Sequence, residues 1–330
     1  MKTTTNQNSQ TNGFGPKKAL GLLLKYGTYA LLIFFCIILT LTTSTFLTKS
    51  NLINVLLQTT VTAILAAGVT FVIVIGCMDL SVGTTMAVAS CFATEAFKRG
   101  ANWWQGLLIM LAVGMLFGLI NGFSTAYIGM PSFLVTLATQ SLGKGIALGI
   151  SNGRSFYDIP DAFDFIPDTA ILGIPLMIII VIIIYIVMQI ILKRTLFGRR
   201  VCATGGNSEA ARVSGVNTKR TMLQAYILCG VMVGIASIIQ TARMGSFWPT
   251  MGTGLEFQAV AAVVIGGASL SGGAGSLIGT FVGVILMGVI SNALNLWGVN
   301  ANWQEAARGL IIFFAVFLDT IRSRFNKGAE

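Results

Sequence analysis

The sequence predicts an all-α polytopic membrane protein with about ten transmembrane helices, some of them broken or re-entrant, and with both termini in the cytoplasm. Three observations support this fold class. Hydrophobic residues make up 55% of the 330 residues and charged residues only 10%, whereas a soluble protein has about 25% charged residues. Apolar runs of membrane-spanning length recur along the chain. The basic residues are concentrated in the segments that are predicted to share one side of the membrane.

A transmembrane helix needs roughly 20 mostly apolar residues. Ten runs come close to this requirement, of which the third and the eighth are short. They cover residues 26–46, 53–76, 81–97, 104–128, 131–150, 171–192, 221–242, 256–270, 274–297 and 304–321.

The distribution of lysine and arginine orients these spans. One side holds the basic residues of both termini and seven more in the loop 193–220, whereas the other side holds Lys49, Lys98, Arg99, Arg154 and Arg243. Because basic loops remain in the cytoplasm, both termini and this loop are predicted to be cytoplasmic. The predicted organisation is a disordered tail at 1–18, a single transmembrane domain at 19–325 and a second tail at 326–330.

Several kinds of chemistry are excluded by composition. The chain has no histidine, and its five cysteines form no CxxC pair, so neither a metal site nor a disulfide framework is predicted. No GxxxxGK[ST] loop is present, so the chain is not expected to hydrolyse ATP or to bind a cofactor. The net charge of +10 follows from topology signals beside the spans and does not indicate a nucleic-acid partner. No catalytic residue is predicted.

Two short segments resemble one another. Residues 74–81 (VIGCMDLS) and 264–271 (VIGGASLS) each join an apolar run to a polar break that is flanked by glycine. Paired breaks in the two halves of a transporter are typical of a solute path. Asp79 in the first break has two interpretations that remain open: Asp79 or Ser81 caps the third span, or Asp79 contacts a solute.

Other polar or aromatic residues in or near the spans are candidates for the same path. Amides suit hydroxyl-rich solutes and an aromatic ring can stack on a sugar, but amides equally form hydrogen bonds between helices. The predicted path residues are Asp79, Ser81, Asn121, Phe133, Gln258, Ser269, Asn292 and Asn295.

The loop 193–220 has an organised centre. Gly205, Gly206 and Asn207 are predicted to form a turn, and Asn207 or Ser208 to cap a short helix over residues 209–213 that ends at Gly215. A short basic helix on a cytoplasmic loop is typical of a docking element for a soluble partner.

Five stretches together resemble the permease subunits of ribose-type ABC importers, over nearly all of residues 26–324. They are GCMDLSVG at 76–83, PSFLVTLAT at 131–139, FGRRVCATGGNSEAARVSG at 197–215, AVVIGGASLSGGAGSLIGT at 262–280 and GLIIFFAVFLD at 309–319. The resemblance implies a pore of two permease copies, identical or paralogous, in lipid of the bacterial inner (plasma) membrane. A solute-binding protein, periplasmic or surface-tethered, would deliver a monosaccharide such as ribose, and a cytoplasmic ATPase subunit would hold ATP and Mg.

The resemblance also assigns a role to the loop 193–220, called the coupling loop below. Its EAA-type motif would insert into a groove on the ATPase. The implied coupling residues are Gly206, Asn207, Ser208, Glu209, Ala210, Ala211, Arg212 and Gly215. The alternative interpretation from another class is an ion-coupled secondary sugar carrier, which would need neither an ATPase nor a binding protein.

Overall fold

The structure is a computed structural model that describes residues 16–300, 302–307, 309–311, 313–314 and 317, with side chains from residue 27 onward. Residues 1–15 and the predicted tail 326–330 lie outside the described residues, as does much of the last predicted span at 304–321. The described chain is mostly helical, which agrees with the predicted fold class. It departs from an all-α fold in one small antiparallel hairpin, in which β1 (Ala170–Ile171) pairs with β2 (Ile174–Pro175), and in an antiparallel bridge between Phe156 and Phe247.

Twelve α-helices are numbered here in chain order. They are α1 Pro16–Thr42, α2 Lys49–Val74, α3 Val82–Lys98, α4 Trp103–Phe123, α5 Ser132–Ser151, α6 Phe165–Asp168, α7 Leu176–Arg194, α8 Leu196–Gly206, α9 Ser208–Val213, α10 Thr218–Met244, α11 Leu255–Ile265 and α12 Leu277–Leu296. A π-helical turn at Ser124–Ile128 extends α4, and a 3₁₀ turn occupies Asp161–Phe163.

Six helices of the described chain are long and apolar enough to cross a membrane, namely α2, α4 with its π turn, α5, α7, α10 and α12. The apolar part of α1 that is described in full (Gly27–Thr42) and α11 are shorter. These helices establish a polytopic membrane fold. The sixth predicted span begins at residue 176 rather than 171, because Leu172 and Gly173 both adopt positive φ angles and turn the β1–β2 hairpin.

The core of the molecule is built around α2. Every residue from Thr59 to Ile75 is buried, and the surrounding helices are α7, α10, α11 and α12. A helix can be enclosed on every side by other helices or by lipid only when all of its faces are apolar. The sequence of α2 meets this condition because its only polar residues from position 59 to 74 are threonines. Three of these four threonine hydroxyls, on Thr59, Thr60 and Thr70, donate to carbonyls of the same helix, Thr70 to that of Ala66 at 2.7 Å.

Small residues permit the closest crossing, between α4 and α10. A Cβ on Gly114 would overlap the carbonyl oxygen of Gly230, and a Cβ on Gly230 would overlap that of Gly114. Glycine recurs at four-residue spacing at 114, 118 and 122 and again at 230 and 234. This spacing predicts tight helix packing, and the prediction is confirmed. The same holds for Gly279 and Gly283 of α12, which face α11 in the same way.

Alanine in place of Gly230 is therefore expected to lower the thermal stability of the protein in detergent. The added methyl carbon would overlap the Gly114 carbonyl oxygen and lie 2.9 Å from the Gly114 carbonyl carbon. Both are backbone atoms, which cannot rotate away as a side chain can. Overpacking of this kind costs about 1–3 kcal/mol. Gly149→Ala is the matched control, because an added Cβ there has nothing within 4 Å among the described residues. Equal melting temperatures for the two variants would show that the crossing tolerates separation.

Candidate functional site

The coupling loop forms two helices, α8 and α9, joined by a single residue. The prediction of a turn over Gly205–Asn207 is wrong for the two glycines, because α8 continues through Gly206 and only Asn207 (φ −157°, ψ 101°) is extended. Packing explains the glycine at position 205, because a Cβ there would overlap the carbonyl oxygen of Val74 at the end of α2. Close backbone approach, rather than a turn, requires glycine at position 205.

The ends of α9 match the sequence prediction. The Asn207 side chain accepts a hydrogen bond from the Ala210 amide at 2.9 Å and thereby caps the helix. At the other end Gly215 has φ +85°, its amide donates to Arg212 and the amide of Val216 donates to Ala211, each at 3.0 Å. This pair of bonds is a Schellman motif, which ends a helix at a glycine.

The outward face of α9 is presented to solvent. Ala211 is buried and anchors the helix, whereas Ser208, Glu209, Ala210 and Arg212 are exposed. Glu209 accepts two hydrogen bonds from Arg212, one of them from Nε to Oε2 at 3.0 Å. These bonds hold the pKa of Glu209 below its usual value. An exposed pair of this kind adds little to stability, so its charged groups remain available to a partner.

The two similar segments are helix ends followed by irregular chain. We call residues 75–81, between α2 and α3, the first break, and residues 266–276, between α11 and α12, the second break. Each begins with a Schellman motif, at Gly76 (φ +85°) and at Gly267 (φ +92°). The structural match is therefore shifted by one residue from the sequence match, which pairs Gly76 with Gly266.

The two breaks and α8 meet at one point. The Gly273 amide donates to the Val74 carbonyl oxygen at 2.8 Å. A Cβ on Gly272 would lie 2.9 Å from the Gly76 Cα and 2.7 Å from the Gly205 carbonyl oxygen. We call this contact of Gly76, Gly205, Gly272 and Gly273 the glycine junction. Because it is backbone against backbone, α8 cannot move toward or across the breaks without displacing them.

Three of the predicted path residues form one buried network at the start of α3. The Asp79 Oδ1 atom accepts from the Ser81 amide at 2.9 Å and from the Ser81 hydroxyl at 2.6 Å. Asn121 donates to the Ser81 hydroxyl at 2.8 Å and accepts from Thr139 at 2.9 Å. Ser81 occupies the N-cap position of α3 but its side chain makes no capping bond, and Asp79 bonds the Ser81 amide instead. The capping interpretation is therefore wrong as stated, because neither side chain bonds a free amide of α3. Asp79 instead forms an Asx turn onto Ser81.

The remaining predicted path residues are dispersed. Gln258 and Asn295 line a cavity of about 180 Å³ between α2, α11 and α12, which we call the polar cavity. Asn292 forms a reciprocal pair with Asn51, with bonds of 2.8 and 3.1 Å. Phe133 is exposed on α5, and the Ser269 hydroxyl accepts from the Ser271 amide within the second break. The structure thus separates this predicted set into a buried network, a cavity and isolated positions.

One buried pair lies outside the predicted set. Gln140 donates to the Glu256 Oε1 atom at 2.9 Å, and Glu256 is 2% exposed. Within the described residues the Glu256 Oε2 atom has no hydrogen-bond partner. Glu256 begins α11 beside Gly83 of α3. An acidic residue in the first turn of a helix is common, so the sequence gives no reason to expect this tertiary contact of Glu256.

Comparisons with known proteins identify the family. A family described as branched-chain amino acid transport system / permease component matches residues 51–316. The chain belongs to this family. The ribose import permease protein of Escherichia coli K12 is 36% identical over 88% of this permease and 91% of its own length. The ribose import permease protein of Bacillus subtilis 168 is 35% identical, covering 92% and 95% of the two chains.

A hexose permease is also similar. The D-allose transport system permease protein of Escherichia coli K12 is 34% identical over 91% of this permease and 93% of its own length. No solved structure matches. The predicted resemblance to ribose-type ABC permeases is confirmed, as is the prediction of a multi-pass protein of the bacterial inner membrane. The permease is a transporter subunit rather than a catalytic enzyme.

Proposed function

We propose that this permease carries a monosaccharide, ribose or a related pentose or hexose, inward across the bacterial inner membrane. A solute-binding protein delivers the sugar, and a separate cytoplasmic ATPase subunit, which holds ATP and Mg, supplies the energy. One observation carries the coupling part of this proposal: the exposed, capped helix α9 is joined through the single residue Asn207 to α8, whose Gly205 lies in the glycine junction with both breaks. The sugar class is supported by the ribose and allose permeases among the relatives.

The proposed topology has about ten spans, with both termini and the coupling loop in the cytoplasm and a single transmembrane domain at 19–325. The seven basic residues of the coupling loop support this orientation. The pore is completed by a second permease copy, identical or paralogous, in contact with membrane lipid. Nucleotide binding on the ATPase moves α9, and the glycine junction carries that movement to both breaks, which open or seal the sugar path.

The test is uptake of labelled ribose, allose and xylose into vesicles that contain the assembled transporter. Uptake is expected to require both ATP and the binding protein. Uptake that follows a sodium or proton gradient and ignores ATP would instead support the secondary carrier. Uptake of leucine with no uptake of any sugar would contradict the monosaccharide assignment.

Reversal of the charge at Glu209 is expected to lower ATP-dependent uptake at least about tenfold while the protein remains in the membrane. A lysine there places a positive charge beside Arg212 and against the partner surface, and like charges in an interface cost several kcal/mol. The measurement is sugar uptake together with membrane abundance.

Two further variants make this measurement specific. The double variant Glu209→Lys, Arg212→Glu restores an ion pair within α9 but not the original charges, so it is expected to remain inactive. Recovery by the double variant would reduce Glu209 to a helix-stabilising residue. Glu95→Lys is the matched control, because Glu95 forms similar pairs with Lys98 and Arg99 at the far end of α3. It is expected to transport normally.

A further inference from the structure

The polar cavity lies at the end of the helix bundle that is opposite to the coupling loop. Gln58 is nine residues from the start of α2 at Lys49, or about 13 Å along the helix, and it lines the cavity. Val74, which contacts α8, is about 24 Å farther along the same helix. Ser291 and Asn295 likewise lie near the end of α12 that is remote from the second break. In the proposed topology this is the external side.

The lining of the cavity is unusually polar for a chain with this composition. Seven of the ten lining residues, on α2, α11 and α12 and at position 304, carry an amide or a hydroxyl group. Gln304, which is 8% exposed, donates from Nε2 to the Asn295 Oδ1 atom at 2.9 Å and so fixes the orientation of that amide. Among the described residues, the side chains of Gln58, Gln258 and Ser291 have no hydrogen-bond partner.

Gln58 and Asn295 are exposed, and Gln258 and Ser291 are half-buried, so their polar groups are accessible from the cavity and are not sealed inside the protein. A cavity with several such groups implies an occupant that both donates and accepts hydrogen bonds. The described residues that line the cavity include no charged side chain, which suits an uncharged occupant. A hydroxyl-rich ring meets these requirements: amides supply donors and acceptors together, and each sugar hydroxyl can do both.

The size of the cavity narrows the class of solute. Its volume of about 180 Å³ corresponds to roughly six water molecules at about 30 Å³ each, and it is below the roughly 300–1,000 Å³ of pockets for drug-sized ligands. A single sugar ring therefore fits this volume better than two linked rings do.

We propose that the polar cavity is the external binding site of the permease for a single monosaccharide, with Gln258 and Asn295 as its main amide contacts. The site holds the sugar after release from the binding protein and before the breaks open. This inference rests on the proposed function. It places recognition in the cavity and not in the Asp79 network, whose hydrogen bonds are already made within the protein.

The inference is tested with Ser291→Cys in vesicles that contain the assembled transporter. Ser291 is half-buried in the cavity lining, and the substitution changes only an oxygen to a sulfur. A membrane-impermeant thiol reagent is added from the external side, and the parent chain with its five native cysteines gives the background. A sugar at nine times its dissociation constant occupies about 90% of sites, so ribose, allose or xylose is expected to slow labelling about tenfold. Sucrose is expected to leave the rate unchanged.

A second substitution assigns the protection to the cavity amides. Gln258→Leu in the Ser291→Cys chain is expected to raise the half-protecting ribose concentration about fivefold, which corresponds to one uncharged hydrogen bond. Gln224→Leu is the matched control, because Gln224 is exposed on α10 beside the apolar residues Ile191 and Leu228, away from the cavity. It is expected to leave that concentration unchanged.

The outcomes separate this inference from the proposed function. If the Ser291→Cys chain imports sugar but no sugar slows its labelling, the cavity is not the binding site and the importer assignment is retained. Equal shifts for Gln258→Leu and Gln224→Leu would also overturn the inference. If the parent chain imports no monosaccharide, or if leucine alone protects Cys at position 291, the proposed function fails and the inference fails with it.

Discussion

Replacing Gly205 by alanine is expected to abolish sugar uptake without removing the permease from the membrane. The added methyl carbon would overlap the Val74 carbonyl oxygen and lie 2.6 Å from the Gly273 amide nitrogen. Both are backbone atoms, one next to the first break and the other in the second break, and neither can rotate away. The added carbon therefore forces α8 away from the glycine junction. Overpacking of this kind costs about 1–3 kcal/mol. A displacement of α8 relieves it most easily, because α8 is peripheral whereas α2 is enclosed by other helices.

The expected measurement is ATP hydrolysis without transport. The binding surface on α9 is unchanged in this variant, so the ATPase is expected to assemble and to hydrolyse ATP, while sugar uptake falls to background. Gly206→Ala is the matched control in the same helix, because its added Cβ has only the Gly273 Cα nearby, at an ordinary contact distance of 3.9 Å. Normal uptake by the Gly205 variant would mean that close contact at the junction is not needed for coupling.

The sequence predicts the general fold because hydropathy and basic residues act locally. Long apolar runs correspond to helices in the structure, and glycines at four-residue spacing identify the α4–α10 crossing correctly. Gly145 and Gly149 share that spacing, yet nothing described lies within 4 Å of an added Cβ at either position. Spacing identifies a face on which backbones can approach, but it contains no information about which helix, if any, occupies that face.

The site is predicted less completely than the fold, for a related reason. The cap and stop of α9 are local patterns, so Asn207 and Gly215 are correctly assigned to the ends of the helix. The glycine junction depends on three segments that are distant in sequence, and no pattern in any one of them indicates the contact. Gly205 illustrates the difficulty, since a Gly-Gly-Asn sequence is typical of a turn, whereas its tertiary environment keeps it helical.

The path residues show the same limit. Polarity within an apolar run selects Asp79, Asn121, Gln258 and Asn295 equally well. Only the tertiary structure separates them. Asp79 and Asn121 both form hydrogen bonds with Ser81 inside the protein, whereas Gln258 and Asn295 line a cavity. Hydrogen-bond satisfaction is a property of the packed structure, so the sequence cannot distinguish a structural amide from one that is available to a solute.

Substitution of Asp79 by leucine is expected to cause the largest loss of stability among the path residues. Asp79 is 3% exposed, and its Oδ1 atom is the acceptor for both the amide and the hydroxyl of Ser81. Leucine offers no acceptor, and at membrane depth no water replaces it. Each buried group left unsatisfied costs about 1–3 kcal/mol, so a total of about 2–6 kcal/mol is expected for these two groups. Membrane abundance and the melting temperature in detergent are the measurements.

Asp79→Asn separates a structural from a transport role for this side chain. Asparagine keeps a carbonyl oxygen in the position of Oδ1, so the bonds from Ser81 are retained, and the network with Asn121 is expected to persist. If Asp79 acts as an acceptor within the protein, this variant folds and imports sugar nearly as the parent does, while Asp79→Leu does neither. If the asparagine variant reaches the membrane with parental stability but imports no sugar, the carboxylate itself takes part in transport. That result would restore the solute-contact interpretation of Asp79, because a charge with no structural function in a membrane span is retained for transport chemistry.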